Sequence, residues 1–227
     1  MADEYATHFD DLLGTVDESL HGRSGSVFYS GRRAFAVPAK LYMLGLNPGG
    51  NPITQREQTI ARNIEALRLR DSWSAYADES WRNRPAGTHG MQPRVLHLLR
   101  RLNLEPRLVP ASNVVFVRTA READLSREKE QFLPLCWKIH AAVIERLGVR
   151  VVTCFGRTAG SWVREQMGAH EQVDEFIEQN GRRWSSHAHA ASDGRRVVTL
   201  THPSIADWTN PKTDPTPLVE RALQKVA

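Results

Sequence analysis

The chain has 227 residues, a length that suits one α/β domain, and no low-complexity linker divides it, so we predict a single domain over residues 1–227. Its formal charge of +4 includes twenty-five arginines and five lysines, a bias that suits phosphate recognition and equally suits an arginine-rich solvated surface. No apolar segment approaches the roughly 20 residues that span a bilayer, and the N-terminus lacks a signal-peptide core, so we expect a cytoplasmic protein with no membrane partner.

The first predicted element is a helix over about residues 3–20. Its apolar positions fall on one helical face, namely Phe9, Leu12, Leu13, Val16 and Leu20. A basic, glycine-rich loop follows in "HGRSGSVFYSGRR". This loop either contacts phosphate or only connects two elements.

Four short β-rich segments alternate with helical patterns along the rest of the chain. The strands are predicted at residues 40–45, 113–119, 149–156 and 195–202. Thr54 and Glu57 form a possible capping box for a helix that continues to about Arg70. Further helices are predicted around residues 95–102, at 126–147 before Gly148, at 157–168 and in the C-terminal tail. Strands that are apolar nearly throughout predict the α/β class, as a three-layer α/β/α sandwich around a mainly parallel, four-stranded sheet.

Two unusual loops follow the first and the last of these strands. The first reads "GLNPGG", in which glycines and prolines make a stiff turn that presents Asn47. The second reads "THPSI" and contains His202 and Ser204. Because ligands bind beyond the carboxyl ends of parallel strands, the two loops together predict a site.

This pairing of loops resembles the uracil-DNA glycosylase superfamily. "GLNPGG" is similar to the first motif of its mismatch-specific and single-strand-selective branches, and "HPSI" to its second motif. The segments "RVLHLLRRLNL", "LPLCWKIHAAVIERLGVRVVTCFGRTAG" and "RRVVTLTHPSI" resemble the thermophile-type branch. The resemblance covers about residues 38–205 and implies a glycosylase-like sandwich that acts on DNA.

The resemblance implies different catalytic roles for the two loops. Asn47 would hold the attacking water through its side-chain carbonyl, and His202 would donate a hydrogen bond to the departing base as negative charge develops. An amide cannot accept the water's proton, so a labile leaving base is expected unless Asp207 or Glu57 assists. The other residues expected to bind the substrate are Gly45, Leu46, Pro48, Gly49, Trp81, Arg118 and Ser204.

A segment rich in tryptophan and arginine lies where the resemblance predicts the base-stacking loop. It contains Trp73, Tyr76 and Trp81, and such rings either stack on bases or close the edge of the core. The residues expected to contact DNA are Arg82, Arg84, Arg94 and Pro203.

In uracil-specific members of the superfamily, the second strand ends in an asparagine that reads the base. The matching place in this chain is predicted at Arg118 or Thr119. We therefore predict a monofunctional glycosylase for a modified or deaminated base, and modified cytosine in phage DNA is one candidate. The alternatives are repair of uracil or mismatched thymine, and a binding module that does not hydrolyse DNA.

The expected cofactor content and partners complete the sequence prediction. The thermophile-type branch holds an iron-sulfur cluster with four cysteines, whereas this chain has only Cys136 and Cys154. Both lie in apolar segments, so we expect buried reduced thiols, no metal and no cofactor. His187 and His189 are expected to be exposed polar residues. DNA, double- or single-stranded, is the expected partner of a monomeric protein.

Overall fold

A computed structural model describes residues 2–226, and a six-stranded sheet lies at its centre. The strand order is β2-β1-β3-β6-β5-β4. Strands β2, β1, β3 and β6 are parallel, and β5 is antiparallel to both β6 and β4. The strands are β1 Leu41–Gly45, β2 Ala111–Asn113, β3 Val151–Phe155, β4 Glu171–Ile177, β5 Ser185–Ala190 and β6 Arg196–Leu200.

The α/β class is confirmed, but the predicted count of four strands is wrong. The four predicted strands form the parallel part of the sheet, and a β4–β5 hairpin adds two antiparallel strands at one edge. The hairpin was missed because β4 is charged and largely exposed and β5 reads "SSHAHA", so neither has an apolar run. The second strand is also misplaced in the prediction, since it covers Ala111–Asn113 and shares only Asn113 with the predicted range 113–119.

Helices cover both faces of the sheet, an arrangement compatible with the predicted three-layer sandwich. In β1, Tyr42 and Leu44 belong to one hydrophobic cluster, whereas Leu41 and Met43 belong to a second cluster. Because strand side chains alternate between faces, the two clusters lie on opposite sides of the sheet. The first contains the apolar residues of the helices at Ala2–Gly14, Ile60–Arg68, Lys129–Arg146 and Arg157–Met167, and the second those of the helices at Gln92–Arg101 and Thr216–Gln224.

The predicted helices are present with changed bounds: the first ends at Gly14 and not at residue 20, the second starts at Ile60, and the helix predicted over 126–147 is two helices. The helices are α1 Ala2–Gly14, α2 Ile60–Arg68, α3 Ala75–Asp78, α4 Gln92–Arg101, α5 Glu122–Arg127, α6 Lys129–Arg146, α7 Arg157–Met167 and α8 Thr216–Gln224. The side chain of Thr59, and not that of Thr54, caps α2 by accepting from the Arg62 N–H. Thr54 and Glu57 lie in turns before that helix. None of the described helices is long and apolar enough to cross a bilayer.

A buried tyrosine–histidine pair joins β1 to α6. The Tyr42 hydroxyl donates to His140 Nδ1 at 2.8 Å, and His140 Nε2 donates to the Val114 carbonyl at 3.2 Å. These partners fix a neutral ring. Burial lowers the pKa of His140 from 6.5 to about 4.

This shift predicts that acid destabilises the fold through His140. The unfolded chain binds a proton below pH 6.5 and the folded chain does not, so stability is complete above 6.5 and falls toward pH 4. We expect the stability advantage of the wild type over His140→Gln to shrink by about 3 kcal/mol across that range in urea titrations. His170→Gln at an exposed position is the control. A constant advantage would contradict the prediction.

Candidate active site

The two predicted loops open into one large cleft. Asn47 after β1 and His202 after β6 both line a cavity of about 1840 Å³ at the carboxyl ends of the parallel strands. Such an edge is where parallel sheets bind ligands. Of the predicted site residues, the structure brings Gly45, Leu46, Asn47, Gly49, Trp81, Arg82, Arg118, His202 and Ser204 to this cleft.

The Asn47 side chain is held by its amide nitrogen. Nδ2 lies 3.0 Å from the Thr119 hydroxyl and 3.3 Å from the Val117 carbonyl, and it donates to both. No hydrogen bond among the described residues engages Oδ1 of Asn47. The orientation of the amide is therefore fixed. Its carbonyl oxygen remains free to accept a hydrogen bond from a donor such as a water molecule.

Arg118 supports the loop after β1 that carries Asn47, called here the Asn47 loop, through hydrogen bonds. Its Nη1 donates to the Gly49 carbonyl, its Nε to the Ser24 hydroxyl at 3.1 Å and its Nη2 to Gln58 Oε1 at 3.2 Å. Burial lowers the Arg118 pKa, yet a guanidinium stays charged at neutral pH. Arg118 forms no ion pair within the described part of the chain, so its positive charge is uncompensated by a direct partner, and the Glu79 carboxylate of the same cleft acts on it only from a distance.

The end of the second strand carries an asparagine, contrary to the sequence prediction. Asn113 is the last residue of β2, lies in register with Gly45 and lines the cleft. The prediction located this strand end at Arg118 or Thr119 because the apolar run "VVFV" was assigned to the strand. Asn113 is 93% buried, and its Nδ2 has no hydrogen-bond partner among the described residues. Sequence reasoning missed this residue. The available signal was the pair of polar residues, Ser112 and Asn113, directly before "VVFV".

Gly45 is required by the position of Asn113. A Cβ at Gly45 would lie 2.2 Å from Asn113 Oδ1, far inside contact distance. The glycine after β1 therefore admits the amide of the neighbouring strand to the cleft. The first motif and the end of the second strand form one packed unit.

Aromatic rings form one wall of the cleft. Tyr29 and Tyr76 stack with centroids 6.0 Å apart, and Tyr76 also meets the edges of Trp81 and Phe155. All four line the cleft. Tyr29 comes from the glycine-rich loop, which packs antiparallel to the residues of and after β2. That loop is therefore part of the site, although it precedes the region of resemblance.

His202 is held in one tautomer by the loop that follows it. The Ser204 N–H donates to His202 Nδ1 at 3.1 Å, and the Ser204 hydroxyl lies 2.7 Å from the same nitrogen. The ring proton of the neutral imidazole must then be on Nε2. Burial lowers the pKa of His202 from its ordinary value, opposed by the Glu122 carboxylate. His202 is thus a neutral hydrogen-bond donor at neutral pH.

The carboxylates of the site differ from those predicted. Glu57 lines the cleft but is exposed and paired with Arg62 at 3.0 Å. Asp207 lies outside the cleft lining, and hydrogen bonds from Thr209 lower its pKa. Glu79 and Glu122 do line the cleft, Glu79 accepting from the Trp81 indole at 3.0 Å and Glu122 from the Thr158 hydroxyl. Sequence reasoning did not identify either residue.

The residues predicted to contact DNA divide into two groups. Arg82 and Arg84 are exposed, and both Arg82 and Asn83 have positive φ angles, which fixes a tight turn beside Trp81. Arg94 instead donates to the carbonyl of Pro203, which is buried, and so holds the His202 loop. Pro48 does not line the cleft. The roles predicted for Arg82, Arg84, Arg94 and Pro203 as DNA contacts stay predictions.

Of the two histidines of β5, only His187 lines the cleft. The Nε2 of His187 is 2.9 Å from the Ser185 hydroxyl. His189 is buried and bonded to Arg164, so the prediction that it is exposed is wrong. Cys136 and Cys154 are buried and free, as predicted. Across the described residues, no group of three or more His, Cys, Asp or Glu side chains is arranged to hold a metal ion.

Comparison with known proteins adds no assignment to this geometry. No protein-family model matches the chain, and no curated protein matches it.

The packing of Gly45 against Asn113 predicts different effects for two neighbouring alanine substitutions. Gly45→Ala must displace the Asn113 amide, so we expect it to destabilise the fold by about 1–3 kcal/mol. Gly49→Ala has open space around its Cβ and should change stability by less than about 0.5 kcal/mol. Urea unfolding of both variants measures the difference. Equal effects would show that Asn113 does not occupy this space.

Proposed function

We propose that the protein is a DNA glycosylase that hydrolyses the N-glycosidic bond of a flipped-out deaminated or modified base and leaves an abasic site. The observation that carries the proposal is the convergence of Asn47, Asn113 and His202 on one aromatic-walled cleft. The six-stranded α/β fold is consistent with a uracil-DNA glycosylase-like sandwich extended by a hairpin.

The shape of the cleft supports recognition of a base outside the duplex. Tyr29 and Trp81, the two rings of this wall that are only partly buried, give flat surface on which a base can stack, at roughly 1–3 kcal/mol per base. Ile205 is 57% exposed and follows the His202 loop at the rim of the cleft. An apolar side chain in that place is suited to enter the stack that a flipped base leaves.

The chemistry follows from charge development during cleavage. The bond breaks with positive charge on the sugar and negative charge on the base, as in glycoside hydrolysis. His202 Nε2–H donates to the base as it departs, and the uncompensated Arg118 charge favours the same anion. Asn47 Oδ1 orients the attacking water, because Thr119 and Val117 hold the amide in one direction.

Uracil is favoured among the candidate bases by one observation. Asn113 presents an amide at the floor of the cleft, with Nδ2 unpartnered among the described residues. A side-chain amide offers a donor beside an acceptor, which matches the adjacent O4 and N3–H of uracil. The position of Asn113 supports repair of uracil or mismatched thymine as the form of this proposal to test first.

Base release from oligonucleotides tests the proposal. DNA containing uracil, mismatched thymine, hypoxanthine, hydroxymethylcytosine or its glucosylated form is incubated with the protein and assayed for alkali-labile breaks. We expect breaks with at least one base, and a loss of about 100-fold or more in Asn47→Ala and in His202→Ala. The controls Asn51→Ala, in the same loop, and His170→Ala should keep wild-type rates.

The alternative is a module that binds DNA without hydrolysing it. DNA affinity that falls steeply with salt, together with no abasic product from any of the five bases, would establish that alternative. Breaks that persist at full rate in both Asn47→Ala and His202→Ala would instead contradict the assigned roles.

The state of His202 predicts the acid limb of the pH profile. Its lowered pKa keeps the ring neutral below the pH at which an ordinary histidine titrates. Protonation of Nδ1 would also break its hydrogen bond from the Ser204 N–H. We expect the single-turnover rate of base release to stay level from pH 8 to about 6.5 and to decline only in more acidic buffer. A midpoint above about 6.5 would contradict a neutral His202.

A further inference from the structure

The tip of the β4–β5 hairpin projects to the same cleft as His202. The hairpin belongs to the part of the sheet that the four predicted strands did not include. Its turn, residues 178–184, is called here the hairpin tip. Arg183 and Trp184 of the tip line the cleft together with Ile205.

The hairpin tip is held rigid by its own hydrogen bonds. The Glu178 N–H donates to the Trp184 carbonyl at 2.8 Å and closes the turn. Asn180 Oδ1 accepts from the N–H groups of Arg182 and Arg183, at 3.0 and 3.1 Å. Arg183 adopts a positive φ of 51° within this turn. A left-handed conformation at a non-glycine residue is maintained only where its surroundings enforce it.

Arg182 attaches the hairpin tip to the loop that carries His202. Its Nη1 donates to the Ile205 carbonyl at 2.9 Å, and its Nη2 lies 3.3 Å from the buried Glu178 carboxylate. The same guanidinium covers the Trp184 ring at 4.1 Å from the ring centroid. Trp184 is therefore fixed relative to the catalytic histidine.

The exposed parts of the hairpin tip are suited to a nucleotide. Trp184 remains 37% exposed although Arg182 covers its ring. The Arg183 side chain is exposed and forms no ion pair or hydrogen bond with other described residues. A fixed indole beside an unpaired cation matches the stacking and phosphate contacts of proteins that bind single strands.

We propose that the hairpin tip binds an unpaired nucleotide of the same DNA strand, adjacent to the flipped base. The neighbouring base stacks on Trp184, and its phosphate pairs with Arg183. Because a base within a duplex has both faces covered by its neighbours, this contact selects single-stranded or locally unpaired DNA. The inference rests on the proposed function, since it takes the base in the cleft as its reference point.

Fluorescence of 2-aminopurine tests the stacking contact directly. The probe is introduced on either side of a uracil in a single-stranded oligonucleotide and in the matching duplex, and binding is measured in the Asn47→Ala background. Stacking on Trp184 should quench the probe at one flanking position of the single strand. We expect Trp184→Leu to abolish this quenching and weaken single-strand binding about 10-fold, while Trp184→Phe retains most of both.

A second pair of variants tests the phosphate contact. Arg183→Ala should weaken single-strand binding and reduce by about one the number of phosphate contacts in the salt dependence. Arg100→Ala removes an exposed arginine on α4 that does not line the cleft, and it should change neither quantity. Duplex affinity should change less than single-strand affinity in the variants of the hairpin tip.

The outcomes separate this inference from the proposed function. Wild-type base release with unchanged single-strand affinity in Trp184→Leu and Arg183→Ala would overturn the inference alone. Loss of duplex and single-strand affinity by the same factor would overturn strand selection. Quenching that depends on Trp184, without base release from any substrate, would support a nucleotide contact at the hairpin tip and overturn the glycosylase.

Discussion

A single buried guanidinium joins the segments on which the site depends. Arg118 binds the Gly49 carbonyl of the Asn47 loop, the Ser24 hydroxyl of the glycine-rich loop and Gln58 before α2. These segments are far apart in sequence, and the backbone bridges Ser24–Thr59 and Gly25–Val117 also hold two of them together. A charged hydrogen-bond donor is strong in such a partly buried position, because water competes poorly there. Arg118 thus supports the loop that carries Asn47, while Thr119 and Val117 orient the Asn47 amide itself.

The two functional loops share one strategy for fixing a polar side chain. One end of Asn47 is anchored on Thr119, and one ring nitrogen of His202 is anchored on Ser204. The other end of each side chain faces the cleft. Preorganisation of this kind avoids the reorientation that groups in water must undergo during a reaction. It also explains why short, stiff turns rather than long loops carry these residues.

The sequence predicted the parallel core and the two loops, and its failures have physical causes. The regular apolar runs of β1, β3 and β6 and the helix-ending Gly148 and Gly168 are local signals, and the structure agrees with them. The end of β2 was misplaced because residues 114–117 are apolar and buried without belonging to a strand.

Contacts between residues that are far apart in sequence could not be predicted from local sequence patterns. Tyr29 enters the cleft only because the loop before β1 packs on β2, and Arg94 binds the Pro203 carbonyl across 109 positions of sequence. Nothing in the local spacing of these residues encodes such contacts. The hairpin was missed for another reason, since neither strand has an apolar run and each is defined by its pairing, β5 with β6 and β4 with β5.

Strand β4, the outer strand of that hairpin, gives one edge of the sheet an acidic character. Strand β4 is the free edge of the sheet and carries Glu171, Asp174 and Glu175. Acidic side chains on an open edge discourage strand addition by a second copy of the chain, which guards against aggregation. They also repel the phosphate backbone of a nucleic acid. A polyanion is therefore repelled at this edge of the sheet.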